Sequence, residues 1–268
     1  MDGIAQFKQM HKQSWPHFVP FEALTTPEAA RLVQHAGIAP GMKVLDVGCG
    51  TGVVAITVAR LGGKVTALDL TPELLERAKE NARLAQVNIE WHEGDAESLP
   101  FADHSFDAVL SQFGHIFAPR PEVALSEMLR VLKTGGTIAF STWPPEALVG
   151  QTSALAARYA PPAPEGVAPP VLWGDQKVVE QRLGASVSEL KFQRATMLVP
   201  ALSLGHFRRN VERSAGPVVK LIERLSATDP EKLASYRAEF DTIVAGYFKD
   251  NLVRQEYLMT AARKVAAA

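Results

Sequence analysis

An α/β fold, built on a parallel sheet with helices on both faces, is the architecture this sequence predicts. Three observations point to it. Between Met42 and Trp143, short apolar runs rich in β-branched residues alternate with helix-like segments at crossover spacing. The first of these runs ends in "VLDVGCGTG", Val44 to Gly52, with three glycines in its last five residues. The chain has 268 residues, 47% hydrophobic and 21% charged, an ordinary globular composition with length for one large domain or two small ones.

Each element has a local reason. "KVLDVG" is a buried strand closed by glycine, and "GVVAITVARLG" is a buried helix stopped by a glycine pair. "KVTALDL" is the second strand. Thr71 then stands as helix N-cap, with Pro72 at the first helical position and Glu73 in the first turn. The helix "PELLERAKENARLA" shows a mixed charged face. "NIEWHEGD" and "FDAVLSQ" are the third and fourth strands. "VALSEMLRVLKTGG" is a helix with apolar spacing of three and four, stopped by Gly135 and Gly136, and "TIAFSTW" is the fifth strand. Beyond Trp143 a proline-rich, irregular insertion is expected over 144–175, except for a helix beginning at "DQKVVEQRLG". A long bent strand, "SVSELKFQRATMLV", follows. Residues 202–248 read as helical, with an N-cap at Thr228 or Asp229 before Pro230, and "RQEYLMTAARKV" reads as a last strand returning to the sheet.

Composition excludes several functions. The formal net charge of −1 draws the chain neither to nucleic acid nor to an anionic membrane. The single cysteine, Cys49, permits no intramolecular disulfide and no multi-thiolate metal site. The N-terminus has no signal-type apolar core, and no run approaches the ~20 apolar residues of a membrane span. The expectation is a cytoplasmic protein, monomeric or homodimeric, without metal.

In a sheet of this kind, ligands sit at the carboxyl ends of the strands near the switch point, where the glycine cluster lies. A dinucleotide enzyme wants G-x-G-x-x-G, but here the glycines are Gly48, Gly50 and Gly52, and Val53 holds the third glycine's place. The alternative ligand carries no phosphate. "VLDVGCGTG" closely resembles the first motif of the class I S-adenosylmethionine-dependent methyltransferases. The resemblance continues in order over residues 41–143, through "ALDLTPELLERAKENA", "EGDAESLPFADHSFDAVLS" and "EMLRVLKTGGTIAFSTW". It is nearest the subgroup of ubiquinone- and menaquinone-pathway and small-molecule methyltransferases.

The resemblance implies a Rossmann-like, mostly parallel seven-stranded sheet with a helical cap. It also implies S-adenosylmethionine as cofactor and S-adenosylhomocysteine as product. The glycine loop, Gly48, Cys49, Gly50, Thr51 and Gly52, would take the amino-acid end. Asp69, beside Leu70, would accept both ribose hydroxyls, and Asp95 with the Ala96 amide would hold the adenine. Asp46 would either hold the glycine loop or reach the methionine end. Ser111, Gln112 and Phe113 would line the pocket at the end of the fourth strand. His115 is the best-placed titratable group there, a general base or else a wall residue. Trp15, His17 and Phe18 belong to a leading segment that closes over the cofactor or simply packs.

The implied division is a helical lid over 1–40, the core over 41–200 with its insertion at 144–175, a helical cap over 201–250 and a final strand over 251–268. The implied reaction is direct in-line methyl transfer to a small-molecule acceptor. A nicotinamide-dependent oxidoreductase and a non-catalytic cofactor-binding protein are the alternatives.

Overall fold

The structure is a computed structural model and describes residues 3–266. The outermost residues of the expected lid and final strand, 1–2 and 267–268, lie outside the described residues.

Among the described residues, eight strands form one sheet: β1 (Lys43–Val47), β2 (Lys64–Asp69), β3 (Glu90–Glu93), β4 (Phe106–Gln112), β5 (Leu132–Thr142), β6 (Val187–Pro200), β7 (Phe248–Lys249) and β8 (Leu252–Lys264). The order is β3-β2-β1-β4-β5-β8-β6, with the two-residue β7 paired to β8. β1 to β5 are parallel, and β8 runs antiparallel between β5 and β6. From β1 the chain winds outward to β3 and then returns to β4 on the other side of β1. The switch point therefore lies between β1 and β4.

The period of two along each strand sorts side chains onto two faces. Val44, Ala67, Ala108 and Leu110 pack with α2 (Glu22–His35), α3 (Val53–Arg60) and Leu75 of α4 (Pro72–Leu84). Leu45, Val47, Leu68, Val109 and Phe140 face the other way, toward α5 (Pro121–Val131), Trp173 and α7 (Gln176–Leu183). Helix α1 (Gly3–Lys12) and a 3₁₀ stretch (Trp15–Phe21) precede α2. A third core joins Phe113, β6 and β8 to α6 (Leu148–Tyr159), α8 (Leu204–Ser214), α9 (Gly216–Thr228) and α10 (Pro230–Ala245).

Three local expectations change, and one open choice closes. The glycines at 135 and 136 do not stop a helix, because α5 ends at Val131 and β5 is already extended at Leu132. Leu132 pairs with Phe106, the register then shifts, and a Cβ on Gly136 would lie 2.8 Å from the Asp107 carbonyl oxygen. These glycines serve a strand irregularity. Thr71 occupies the N-cap position of α4, but its hydroxyl makes no cap bond. The insertion is more regular than its prolines suggest, since it contains α6, and Gly150 and Gly174 let the chain lie against the backbone of Trp143 to Pro145. Between the two candidate caps of α10, Asp229 acts, accepting the Lys232 N–H at 2.9 Å.

Candidate active site

The glycine loop follows β1 directly, and its glycines have different reasons to be there. All three have positive φ: +65° at Gly48, +54° at Gly50 and +84° at Gly52. A Cβ on Gly48 would lie 2.8 Å from Gly114 Cα, and one on Gly52 would lie 2.9 Å from the Trp91 ring. A Cβ on Gly50 would meet nothing within 4 Å. The outer two glycines thus serve the protein's own packing, and only Gly50 borders open space that a ligand can enter. The loop is pinned where the Gly48 and Cys49 N–H groups donate to the Leu68 carbonyl at 2.8 and 3.0 Å. It is pinned again where Asn81 Nδ2 donates to the carbonyl of buried Thr51 at 3.1 Å.

Three acidic or amide side chains converge on this loop from neighbouring strands. Asp69, at the end of β2, accepts the Gly50 N–H at 2.8 Å and the Thr71 N–H at 2.9 Å. Burial raises its pKa, and those same N–H groups oppose the rise. Asp46, on β1 and 1% exposed, accepts the Ala55 N–H at 3.0 Å through Oδ2, while Oδ1 is buried without a partner. Burial pushes its pKa up to about 7, against the Ala55 bond and with help from the Asp69 charge. Gln112, at the end of β4, donates from Nε2 to the Thr25 carbonyl at 3.0 Å, and its Oε1 is buried without a partner. Asp46, Asp69 and Gln112 share the sheet face that carries α2 and α3.

The arrangement passes a test of fit for S-adenosylmethionine. Asp46 Oδ1, Thr71 Oγ1 and Gln112 Oε1 are buried polar atoms without protein partners at the ends of β1, β2 and β4. Of the three glycines in the loop that follows β1, Gly50 is the one that faces open space. Buried polar atoms need partners, and a ligand bearing ammonium, hydroxyl and amino groups supplies donors for them.

The remaining expected residues separate. Leu70 is half-buried in the turn after Asp69. Asp95 and half-buried Ala96 follow β3, where Asp95 accepts the Glu97 N–H at 2.9 Å and an ion pair from Lys8 at 2.6 Å. Ser111 is fully buried. Its Oγ donates to the Val47 carbonyl at 2.6 Å and accepts the His115 N–H at 3.0 Å, so it links β1 to the turn after β4. Phe113, at φ +59°, stacks on Trp143 with ring centroids 4.0 Å apart and meets Tyr257 edge-on. Trp15 packs 4.5 Å from Phe117 and beside Phe18, whereas His17 is exposed. Cys49 is buried, and burial with the Asp69 and Asp46 charges pushes its thiol well up, so it is no nucleophile.

His115 needs correction. Its ring is 1% exposed and packs 4.7 Å from both Phe140 and Trp173, on the sheet face opposite Asp46 and Gln112. Burial, then the Arg182 charge, pulls its pKa down to about 3. Such an imidazole does not titrate near its ordinary value, and of the two expected readings the geometry favours the wall residue.

A family model described as a methyltransferase domain matches residues 45–140. The Mycobacterium tuberculosis protein Rv1403c is 36% identical over 258 residues, spanning 95% of this chain and 94% of that protein. The demethylmenaquinone methyltransferase of Staphylococcus aureus is 42% identical over 111 residues, 40% of this chain and 46% of that enzyme. This chain belongs to the class I S-adenosylmethionine-dependent methyltransferases. Among solved structures, the methyltransferase shares its fold with the YcgJ protein of Bacillus subtilis, at TM-score 0.60 and 19% identity over 90% of this chain and 99% of that one. It also shares the fold of Haemonchus contortus phosphoethanolamine N-methyltransferase 2 in complex with S-adenosyl-L-methionine. That match has TM-score 0.54 and 18% identity, over 90% of this chain and 53% of that one.

Several residues of this methyltransferase site escaped sequence reasoning. Gly114 is one, since a Cβ there would lie 2.3 Å from the Gly48 carbonyl oxygen. A glycine two residues past the end of β4 was the available signal. Glu28 and Tyr257, whose hydroxyl donates to the Glu28 carboxylate, and the Lys8 bridge to Asp95 and Glu97, join segments remote in sequence and leave no local pattern.

Proposed function

We propose that this methyltransferase transfers the methyl group to a small-molecule acceptor held where β4 ends, beneath a cap formed by residues 201–250 and a lid formed by residues 1–40. The observation that carries this reading is the position of Phe113. The residue that directly follows β4 belongs to the same apolar core as Phe207, Leu221, Tyr236 and Phe240 of the helices α8 to α10. Helices packed on the residue that follows β4 favour a compact acceptor over a macromolecule. The flat Phe113–Trp143 stack suits an acceptor with an aromatic or planar apolar part. The partial likeness to a demethylmenaquinone methyltransferase leans the same way.

S-adenosylmethionine supplies an electrophilic sulfonium methyl, so the protein need only orient, enclose and hold. In this reading Asp69 accepts the ribose hydroxyls through the lone pairs left free by Gly50 and Thr71, and Asp95 with Ala96 takes the adenine. Gly50 gives the amino-acid end its room, while Asp46 and Gln112 offer Oδ1 and Oε1 to its donors. Trp15, Phe18 and Phe117 keep water from the cleft. Proximity and orientation contribute on the order of 7–11 kcal/mol to such a transfer. With its ring in the core, His115 is not the base in this reading.

Two experiments test the reading. Asp69→Ala is expected to raise the dissociation constant for S-adenosylhomocysteine by roughly tenfold to several hundredfold, from two lost charge-assisted hydrogen bonds. An unchanged constant, by calorimetry, sinks the ribose assignment. A screen of planar and aliphatic acceptors with methyl-labelled cofactor should find turnover among the planar compounds. Label transferred only to protein or nucleic acid would refute a small-molecule acceptor.

A further inference from the structure

The corner where β3 leaves the sheet holds more charge than its surroundings explain. Glu93, Asp95 and Glu97 stand at alternate positions there. Above them α1 presents Lys8 and Lys12, four residues apart and so on one helix face. Lys8 Nζ lies 2.6 Å from Asp95 Oδ2 and 2.6 Å from Glu97 Oε2, and Lys12 Nζ lies 2.5 Å from Glu93 Oε1.

The two contacts differ in kind. Lys12 and Glu93 are 25% and 52% exposed, and a pair like that is worth about 0–1 kcal/mol. Lys8 is 16% exposed and Glu97 only 1%, so the Lys8 bridge is enclosed. Glu97 is also bound by Arg120, whose backbone N–H and Nε donate at 2.7 and 2.8 Å, and it stays anchored whether or not Lys8 is present. α1 itself buries no residue, and at ten residues it is shorter than the ~12–15 that an isolated helix needs. Its seat rests on these lysines, on the ring contacts that run from Phe7 through His11 to Trp15 and Phe117, and on the insertion, where Gly3 and Ile4 lie beside Pro164 and Gly166.

We propose that Lys8 latches α1 over the adenine end of the cofactor site and so sets how long the cofactor stays bound, an inference that rests on Asp95 receiving the adenine amino group. A carboxylate offers about four lone-pair sites. Asp95 already takes the Glu97 N–H on Oδ1 and Lys8 on Oδ2, which fixes its plane before the cofactor arrives. A cofactor seated beneath α1 displaces water from the bridge and strengthens it, because charges attract more in a lower dielectric. By reciprocity, the latch then strengthens cofactor binding equally. Lys8 is a positioning residue acting through Asp95, and release of the cofactor requires the bridge to open.

Stopped-flow release of S-adenosylhomocysteine from the full chain tests this. Lys8→Met should release it roughly tenfold faster, the worth of one charge-assisted bond, and Lys12→Met should stay within about twofold of wild type. Amides of residues 3–12 should exchange more slowly with S-adenosylhomocysteine bound in wild type and show no such protection in Lys8→Met. That readout needs only a folded chain, and α1 buries nothing whose loss would unfold it. A Lys8→Met protein with wild-type release and wild-type protection overturns the latch. Should Asp95→Ala also bind with wild-type affinity, the adenine assignment beneath it fails as well; weakened binding in Asp95→Ala confines the failure to the latch.

Discussion

Gly48, Gly50 and Gly114 show how single atoms partition the site between protein and ligand. A methyl on Gly114 would strike the Gly48 carbonyl oxygen at 2.3 Å, and Gly114→Ala should lower the melting temperature by several degrees. A side chain on Gly50 meets no protein atom, so Gly50→Val should keep the fold, at a cost of about 1–2 kcal/mol for its left-handed backbone, and lose cofactor affinity. Equal affinity in folded Gly50→Val would place the ligand elsewhere. Asp46 and His115 set opposing pH slopes. His115 has an ordinary value of 6.5 and about 3 when folded, so between these the unfolded chain binds a proton the native state refuses. Its contribution therefore makes stability rise with pH and is lost as pH falls below 6.5. Asp46 moves from 3.8 to about 7, so there the native state holds the extra proton and stability falls as pH rises. Each slope is about 1.4 kcal/mol per pH unit at most, and the two oppose each other from about pH 4 to 6.5. Urea melts at pH 4.5 and 6.5 should show His115→Leu becoming less stable toward pH 6.5, relative to wild type, and Asp46→Asn more stable. Parallel profiles for all three proteins would contradict both shifts.

At the scale of elements, α2 is held over the sheet by bonds that no hydrophobic pattern reveals. Tyr257 of β8 donates its hydroxyl to Glu28, both are buried, and Arg31 stands 3.6 Å from the same carboxylate. One turn earlier, Gln112 of β4 donates to the Thr25 carbonyl. Tyr257→Phe keeps the ring's packing on Phe113 but strips the buried carboxylate of its donor, which should cost about 1–3 kcal/mol. Denaturant midpoints for Tyr257→Phe and the double variant Tyr257→Phe/Glu28→Gln provide the check. Partial recovery in the double variant is expected, because a neutral amide is cheaper to bury than a lone carboxylate. β5 teaches a related lesson. Gly135 and Gly136 follow a run with helical spacing, and only the pairing of Leu132 with Phe106 shows that the chain is extended before it reaches them.

For the whole molecule, cofactor binding and folding are one equilibrium. A ligand at about 100 times its dissociation constant adds about 2.7 kcal/mol to the folded state. S-adenosylhomocysteine at that ratio should raise the melting temperature by roughly 5–10 °C for a domain this large. NAD at the same concentration should not move it. A shift with NAD and none with S-adenosylhomocysteine would contradict the site assignment. Helices α8 to α10 share a single apolar core with β6, β8 and Phe113, so they should melt with the sheet in one transition.

The local pattern was sufficient for the elements and for the loop. Apolar runs of strand length and proline and glycine at helix ends determined the presence of β1 to β5 and α3 to α5, though not the boundary between α5 and β5. These signals are short-range, because backbone preference and side-chain period act within a few residues. What each glycine is for was not legible, since Gly48 and Gly114 touch only after β1 and β4 become neighbours. The side of the sheet that receives His115 was equally hidden. Its position after β4 suggested the cleft, but tertiary packing turned the ring toward Phe140 and Trp173, where burial outweighs its basicity. Lys8 with Asp95, and Glu28 with Tyr257, are separated by 87 and 229 residues. No local energy term couples such residues, and only the closed fold brings their charges and donors within reach of each other.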